Sequence, residues 1–186
     1  MSDLFGRGVE LDAVFHGNNC RLTLSRRWGP GPIAFVIGCN PSDASHLKED
    51  PSSRWMTRWF QEYGYGGYDL GNLYPFITPH PKVCKQLVDS IDGGAWGVRD
   101  DLHFVNLPHI VSKAKSADKV FVCWGAIAWD IDWINHVVEE IQTGVGPYPD
   151  LWCWGTTSSG APKHPMARGK HRMDWDAKPI IWRAAA

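Results

Sequence analysis

The feature that most narrows what this chain can fold into is the apolar run Ile33-Ala34-Phe35-Val36-Ile37, closed abruptly by Gly38-Cys39-Asn40-Pro41-Ser42. Unbroken apolar residues over the length of one strand mark a strand buried on both faces, and such strands belong to parallel sheets covered by helices. The loop that ends the run therefore sits at a strand's carboxyl end, where open α/β sheets bind ligands.

The neighbouring segments fit that frame. Upstream, Ala13-Val14-Phe15-His16 and Cys20-Arg21-Leu22-Thr23-Leu24-Ser25 flank Gly17-Asn18-Asn19, a turn signal that predicts an N-terminal β-hairpin over residues 13–28. Downstream, Asp50-Pro51 offers an N-cap followed by a first-turn proline. Trp55, Met56, Trp59, Phe60 and Tyr63 then recur at helical spacing up to Gly64, so residues 51–63 read as a helix. Residues 68–74 read as the next strand. Val83, Leu87 and Ile91 suggest a short helix broken at Gly93-Gly94, and a second helical pattern runs from Arg99 to Ala117 with an interruption at Pro108. Residues 119–125 form another apolar strand ending in glycine. Ile127, Ile131, Ile134, Val138 and Ile141 mark one face of a long helix, and residues 151–155 a short last strand. Strands alternating with helices predict an α/β fold, a three-layer α/β/α arrangement with a mostly parallel central sheet plus the N-terminal hairpin. The 186 residues, 44% of them hydrophobic, suffice for one such core, so one domain over residues 1–186 is expected.

Composition removes several functional classes. No run of about 18 apolar residues occurs and residues 1–7 lack the order of a secretory signal, so a cytoplasmic protein without a membrane partner is expected. The five cysteines are scattered and form no Cys-x-x-Cys pair, which predicts reduced buried thiols and no metal; no cofactor is expected either. A formal net charge of −1 argues against coating nucleic acid through bulk charge. Any such contact is local.

Three strand ends, residues 38–42, 72–76 and 155–172, carry unusual residues and would converge on one sheet edge. Gly38-Cys39-Asn40-Pro41-Ser42 resembles the Gly-x-Asn-Pro-Gly water-activating loop of mismatch-specific and thymine-type DNA glycosylases. The strand ending Trp124-Gly125, followed by Ala128, is similar to a uracil-DNA glycosylase segment, and His164-Pro165-Met166-Ala167-Arg168-Gly169 to the His-Pro motif of those enzymes. The ordered set resembles the domain-of-unknown-function family 1643 more closely still. It comprises Arg21 to Trp28, Asn40-Pro41-Ser42, Asp50-Pro51, Asn72-Leu73 and Gly160-x-Pro162-x-His164-Pro165, over about residues 13–168. The resemblance implies a uracil-DNA-glycosylase-like fold, a pocket for a nucleobase, and a nucleic acid or nucleotide as partner.

Cleaving an N-glycosidic bond needs a held water and a donor to the leaving base. On the resemblance, Asn40 holds the water and His164 donates to the base, while Asn72 reads the base's polar edge and Gly38, Cys39, Pro41 and Phe76 complete its pocket. Each polar residue also has a purely structural alternative: a strand-end amide bond for Asn72, a loop hydrogen bond for His164. Asp43 is either a carboxylate base or the cap of the helix that follows. Lys163, Arg168, Lys170 and Arg172 either neutralise phosphates, with Met166 as an apolar wedge, or form a solvated basic loop. Ser42 stands where the glycosylases have Gly or Tyr, and the aromatic that stacks on the base is missing from the loop before Asp50, leaving Phe76 or Trp55 as substitutes. Two functions stay open: an enzyme acting on the base–sugar bond, and a non-catalytic base-binding or protein-interaction module.

Overall fold

The computed structural model describes residues 8–42, 48–90 and 100–185. The Gly93-Gly94 break and the carboxylate of Asp43 lie outside them. The predicted hairpin forms from β1 (Glu10–His16) and β2 (Cys20–Arg27), and the apolar run is β3 (Ile33–Gly38). Helix α1 (Pro51–Glu62) follows, capped by Asp50 and Ser53 in a reciprocal capping box. Then come β4 (Gly67–Asn72), α2 (Pro81–Asp89), α3 (Leu107–Ser116), β5 (Lys119–Val122), α4 (Ile131–Gln142), β6 (Leu151–Cys153) and β7 (Ile180–Arg183).

The seven strands form one sheet in the order β1-β2-β4-β3-β5-β6-β7. It is mixed rather than mostly parallel. The ladders β4–β3, β3–β5 and β5–β6 are parallel, whereas β1–β2, β2–β4 and β6–β7 are antiparallel. The hairpin extends the sheet instead of standing apart from it, and β7 returns along the opposite edge. That leaves β3 and β5 in the centre, where alternate side chains enter different cores. Phe35, Ile37, Val120 and Val122 pack with Ile110, Ala114, Trp133, Val137 and Ile141 of α3 and α4. Ala34, Val36 and Phe121 pack with Met56, Trp59 and Phe60 of α1 and with Trp154. Most of this second core is aromatic: Phe121 and Trp154 stack at 4.8 Å, and Trp59 meets Trp154 edge-on at 5.2 Å.

Two departures from the expected helices have local causes. Pro108 has no N–H to give the carbonyl of Phe104, and the preceding turn widens into a π-helical stretch, Asp101–Asn106, in which the Leu107 N–H reaches Leu102 O. Ile127 belongs to a 3-10 turn, Gly125–Ile127, because Asp130 caps α4 by accepting from the Trp133 N–H at 2.9 Å.

Helix α3 is tied to the sheet by polar contacts. Lys113 Nζ lies 3.0 Å from Asp69, which also accepts from Ser25 and Arg27, and the Thr23 hydroxyl meets His109 Nε2 at 2.5 Å. Burial and the Lys113 charge lower the His109 pKa.

Candidate functional site

The carboxyl ends of β3, β4 and β5 open into one cleft of about 160 Å³. An engineered cavity of ~150 Å³ accommodates benzene, so this space suits a single six-membered ring. Asn40, Asn72 and His164 all line it, with Gly38, Cys39 and Pro165.

The register of the parallel ladder explains the first pair, since Gly38 lies opposite Asn72. Beyond the strands the two loops stay zipped: Leu73 N donates to Gly38 O at 2.9 Å, Tyr74 N to Cys39 O at 3.0 Å and Thr78 N to Pro41 O at 3.0 Å. The π-helical stretch contributes a clamp, because Asn106 Nδ2 donates to the carbonyls of Asn72 and Leu73 at 3.1 and 3.2 Å. Trp133 Nε1 adds a third bond, 3.0 Å to Leu73 O. The Asn72 backbone is thus fixed from three sides while its side chain is left for the cleft. Asn72 is 3% exposed, and its Nδ2 has no hydrogen-bond partner among the described residues. A buried amide donor left unmatched costs about 1–3 kcal/mol, a penalty that a ligand acceptor would remove.

Glycine at position 38 is dictated by this arrangement, because a Cβ there would come within 2.7 Å of Asn72 Oδ1. Gly38→Ala should displace the Asn72 side chain and weaken ligand binding at least tenfold while the protein stays folded. Titration of the variant alongside its thermal melt checks both halves.

Asn40 is anchored by its amide nitrogen, which donates to Thr78 O at 2.8 Å, so its side-chain oxygen is the end that can accept from a water. On the third side, Gly125 N donates to Pro162 O and Lys163 N to Gly155 O, both at 2.9 Å, which docks the His-Pro loop on the ends of β5 and β6. Gly125 has φ +72° and a Cβ on it would lie 3.2 Å from His164 Cβ, so the turn must be glycine for the histidine to sit there. His164 Nδ1 accepts from the backbone N–H of Met166 at 3.1 Å. A nitrogen that accepts carries no proton, so the neutral ring bears its proton on Nε2 and is a donor there.

Burial lowers the His164 pKa, partly offset by the Asp50 charge, which keeps the imidazole neutral. His109 is shifted the same way. Their common ordinary value is 6.5, and the unfolded chain takes up protons near it while the folded protein resists. The unfolded state therefore binds more protons below that pH, so this part of the stability is complete above about pH 6.5 and declines as the pH falls. Melting temperatures should drop between about pH 7 and pH 5, and His109→Gln and His164→Gln should each flatten that slope.

Residues not singled out from sequence as ligand-facing complete the cleft. Arg21 of β2 is 2% exposed and lines it; burial pushes its guanidinium down to about 10, against the raising influence of Asp50. Asp50, expected as a helix cap, lines it as well as capping α1. Its Oδ1 accepts from Ser53 N at 2.7 Å and its Oδ2 from the Ser42 hydroxyl. Burial alone would raise the Asp50 pKa, but the bonds from Ser42 and Ser53 and the Arg21 charge hold it below the usual range. Ser52 and Met56 of α1 close the wall, and the Cys39 thiol is pushed up to about 12 by burial, so it stays neutral.

Other expected site residues lie elsewhere. Pro41 and Phe76 are not in the lining; Phe76 is 3% exposed within the core. Arg168 and Arg172 line a second cleft with Trp55 and Met166. Lys163 packs against Gly155, and Lys170 is exposed on the 3-10 turn Gly169–His171. Among the described residues no cluster of His, Cys, Asp and Glu could hold a metal ion, and no helix is long and apolar enough to cross a membrane.

Compared with known proteins, the chain matches no curated protein and no solved structure. One family pattern, described as protein of unknown function DUF1643, matches residues 21–166 and so includes Arg21, Asn40, Asp50, Asn72 and His164. Covering well over half of the chain and the whole of the ring-sized cleft, that match places this protein in the DUF1643 family.

Proposed function

We propose that this cleft binds a nucleobase and that the protein hydrolyses the N-glycosidic bond of uracil or a modified base, within a single three-layer α/β/α domain of the uracil-DNA-glycosylase kind. The observation that carries the reading is the unmatched, buried Asn72 amide nitrogen in a ring-sized cleft shared with Asn40 and the Nε2–H of His164. The two nitrogens are donors for the carbonyl oxygens of a base. In hydrolysis the C1′–N bond breaks with its electron pair leaving on the base, and a water held at Asn40 forms the new C1′–O bond. The proton shed by that water balances the charge of the base anion. His164, already neutral and protonated at Nε2, stabilises negative charge on the base oxygen as it develops.

One observation favours a second reading, base binding without turnover. Asp50 is the carboxylate of the described lining, and both of its oxygens are engaged by Ser53 and Ser42, so it is a poor base for the water. A panel of nucleotides and of single- and double-stranded oligonucleotides carrying uracil, mismatched or hypermodified bases separates the two. Release of free base, lost in Asn40→Ala, supports the enzyme. Saturable binding that weakens in His164→Ala, with no release over hours, supports the binding module. Neither release nor binding overturns both.

A further inference from the structure

The ring cleft is not the end of the groove. A second, wider cleft of about 600 Å³ lies on the other side of Pro165 and is built from the same two elements. Helix α1 puts Ser52 and Met56 into the first cleft and Trp55 into the second. The His-Pro loop puts His164 and Pro165 into the first, and Pro165, Met166 and Ala167 into the second.

The chemistry changes across that ridge. The second cleft is lined by the half-buried indole of Trp55, by Trp175, and by Arg168 and Arg172. Trp55 is fixed by edge contacts to Trp154 and Trp175, at 5.3 and 5.8 Å, and Trp175 is held from behind by Arg58, 3.8 Å from its ring centre. Both lining arginines are exposed and neither has an ion-pair partner among the described residues. Against them stands one carboxylate, Asp174, so the lining is net cationic. A rigid aromatic beside two uncommitted guanidinium groups is the combination that holds a stacked base and its phosphates along a single strand.

We propose that the second cleft holds the nucleotide next to the one in the ring cleft, so that the partner is single-stranded nucleic acid rather than a free base or nucleotide. This rests on the nucleobase reading of the first cleft. A mononucleoside leaves the larger cleft empty. A duplex would need a broad cationic face, and the formal net charge of −1 does not provide one; the basic groups are confined to this groove.

The test measures binding of mono-, di- and dodecanucleotides of each base, single-stranded and as duplex, to the intact protein. Affinity should rise tenfold or more from mononucleotide to dinucleotide. Trp55→Ala and the pair Arg168→Ala/Arg172→Ala should each remove that rise, while Trp55→Phe, which keeps an aromatic face, should retain most of it. The arginine pair should also flatten the salt dependence by about one unit of the log–log slope. Affinity independent of length, a rise that survives these variants, or tighter binding of duplex overturns the proposal. A Trp55-dependent rise that Asn72→Ala and His164→Ala leave untouched would instead discard the nucleobase reading of the first cleft and keep the second cleft as a single-strand site.

Discussion

Single-turnover base release should fall by roughly 10²–10³-fold when His164 is replaced by alanine, the usual cost of removing one preorganised donor from developing negative charge. The size follows from how little freedom the imidazole has. Met166 N–H fixes the tautomer, and the Gly125 turn fixes the ring's position. The donor is therefore in place before the base oxygen becomes anionic. Because burial lowers its pKa, no acid limb from His164 should appear in the rate profile near the ordinary histidine value. An acid limb centred near pH 6.5 that disappears in His164→Gln would show that the ring titrates normally and acts as a cation instead.

Glu49→Ala should be the most destabilising single substitution at the site's margin, by about 3–5 kcal/mol. The Arg26 and Glu49 side chains are 0% and 6% exposed, and Arg26 Nε donates directly to Glu49 Oε1. Removing the carboxylate leaves a buried guanidinium without its counter-charge. Glu49 also accepts from the Ser53 hydroxyl at 2.8 Å, so the same change loosens the start of α1, where Asp50 faces the cleft. For a chain of this size the expected fall in melting temperature is roughly 6–20 °C. The double replacement Arg26→Met/Glu49→Leu should recover most of it, since an apolar pair avoids burying either charge. A single variant within about 1 kcal/mol of the parent would show that the pair contributes little.

The sequence made the site's three loops legible, for a definite physical reason. An apolar run that stops at Gly38, a strand that stops at Asn72 and one that stops before Gly125 each mark a carboxyl end, and adjacent parallel strands bring such ends together. Less legible were the residues whose role depends on a distant partner. Arg21 sits in a strand read as half of a hairpin, and only the pairing of β2 with β4 carries its side chain to the cleft. Asp50 was identifiable as a helix cap, yet nothing local shows that a capping carboxylate also faces a ligand. The sheet's mixed character escaped for a similar reason: Ile180–Arg183 is too short and too far from β6 in the chain to declare its partner. The clamp from Asn106 likewise depends on a π-helical register that Pro108 imposes and that no periodicity announces.

The central claim is that a nucleobase occupies the space in front of Asn72, and side-chain amide resonances report on that space directly. With selectively labelled asparagine, addition of the preferred base or oligonucleotide should shift the Asn72 Nδ2 protons downfield and slow their exchange with water. His164 Nε2–H should shift in the same titration, and both changes should vanish in Gly38→Ala. Saturable binding that leaves the Asn72 and His164 resonances where they were would contradict the account, because the ligand would then be seated elsewhere on the protein.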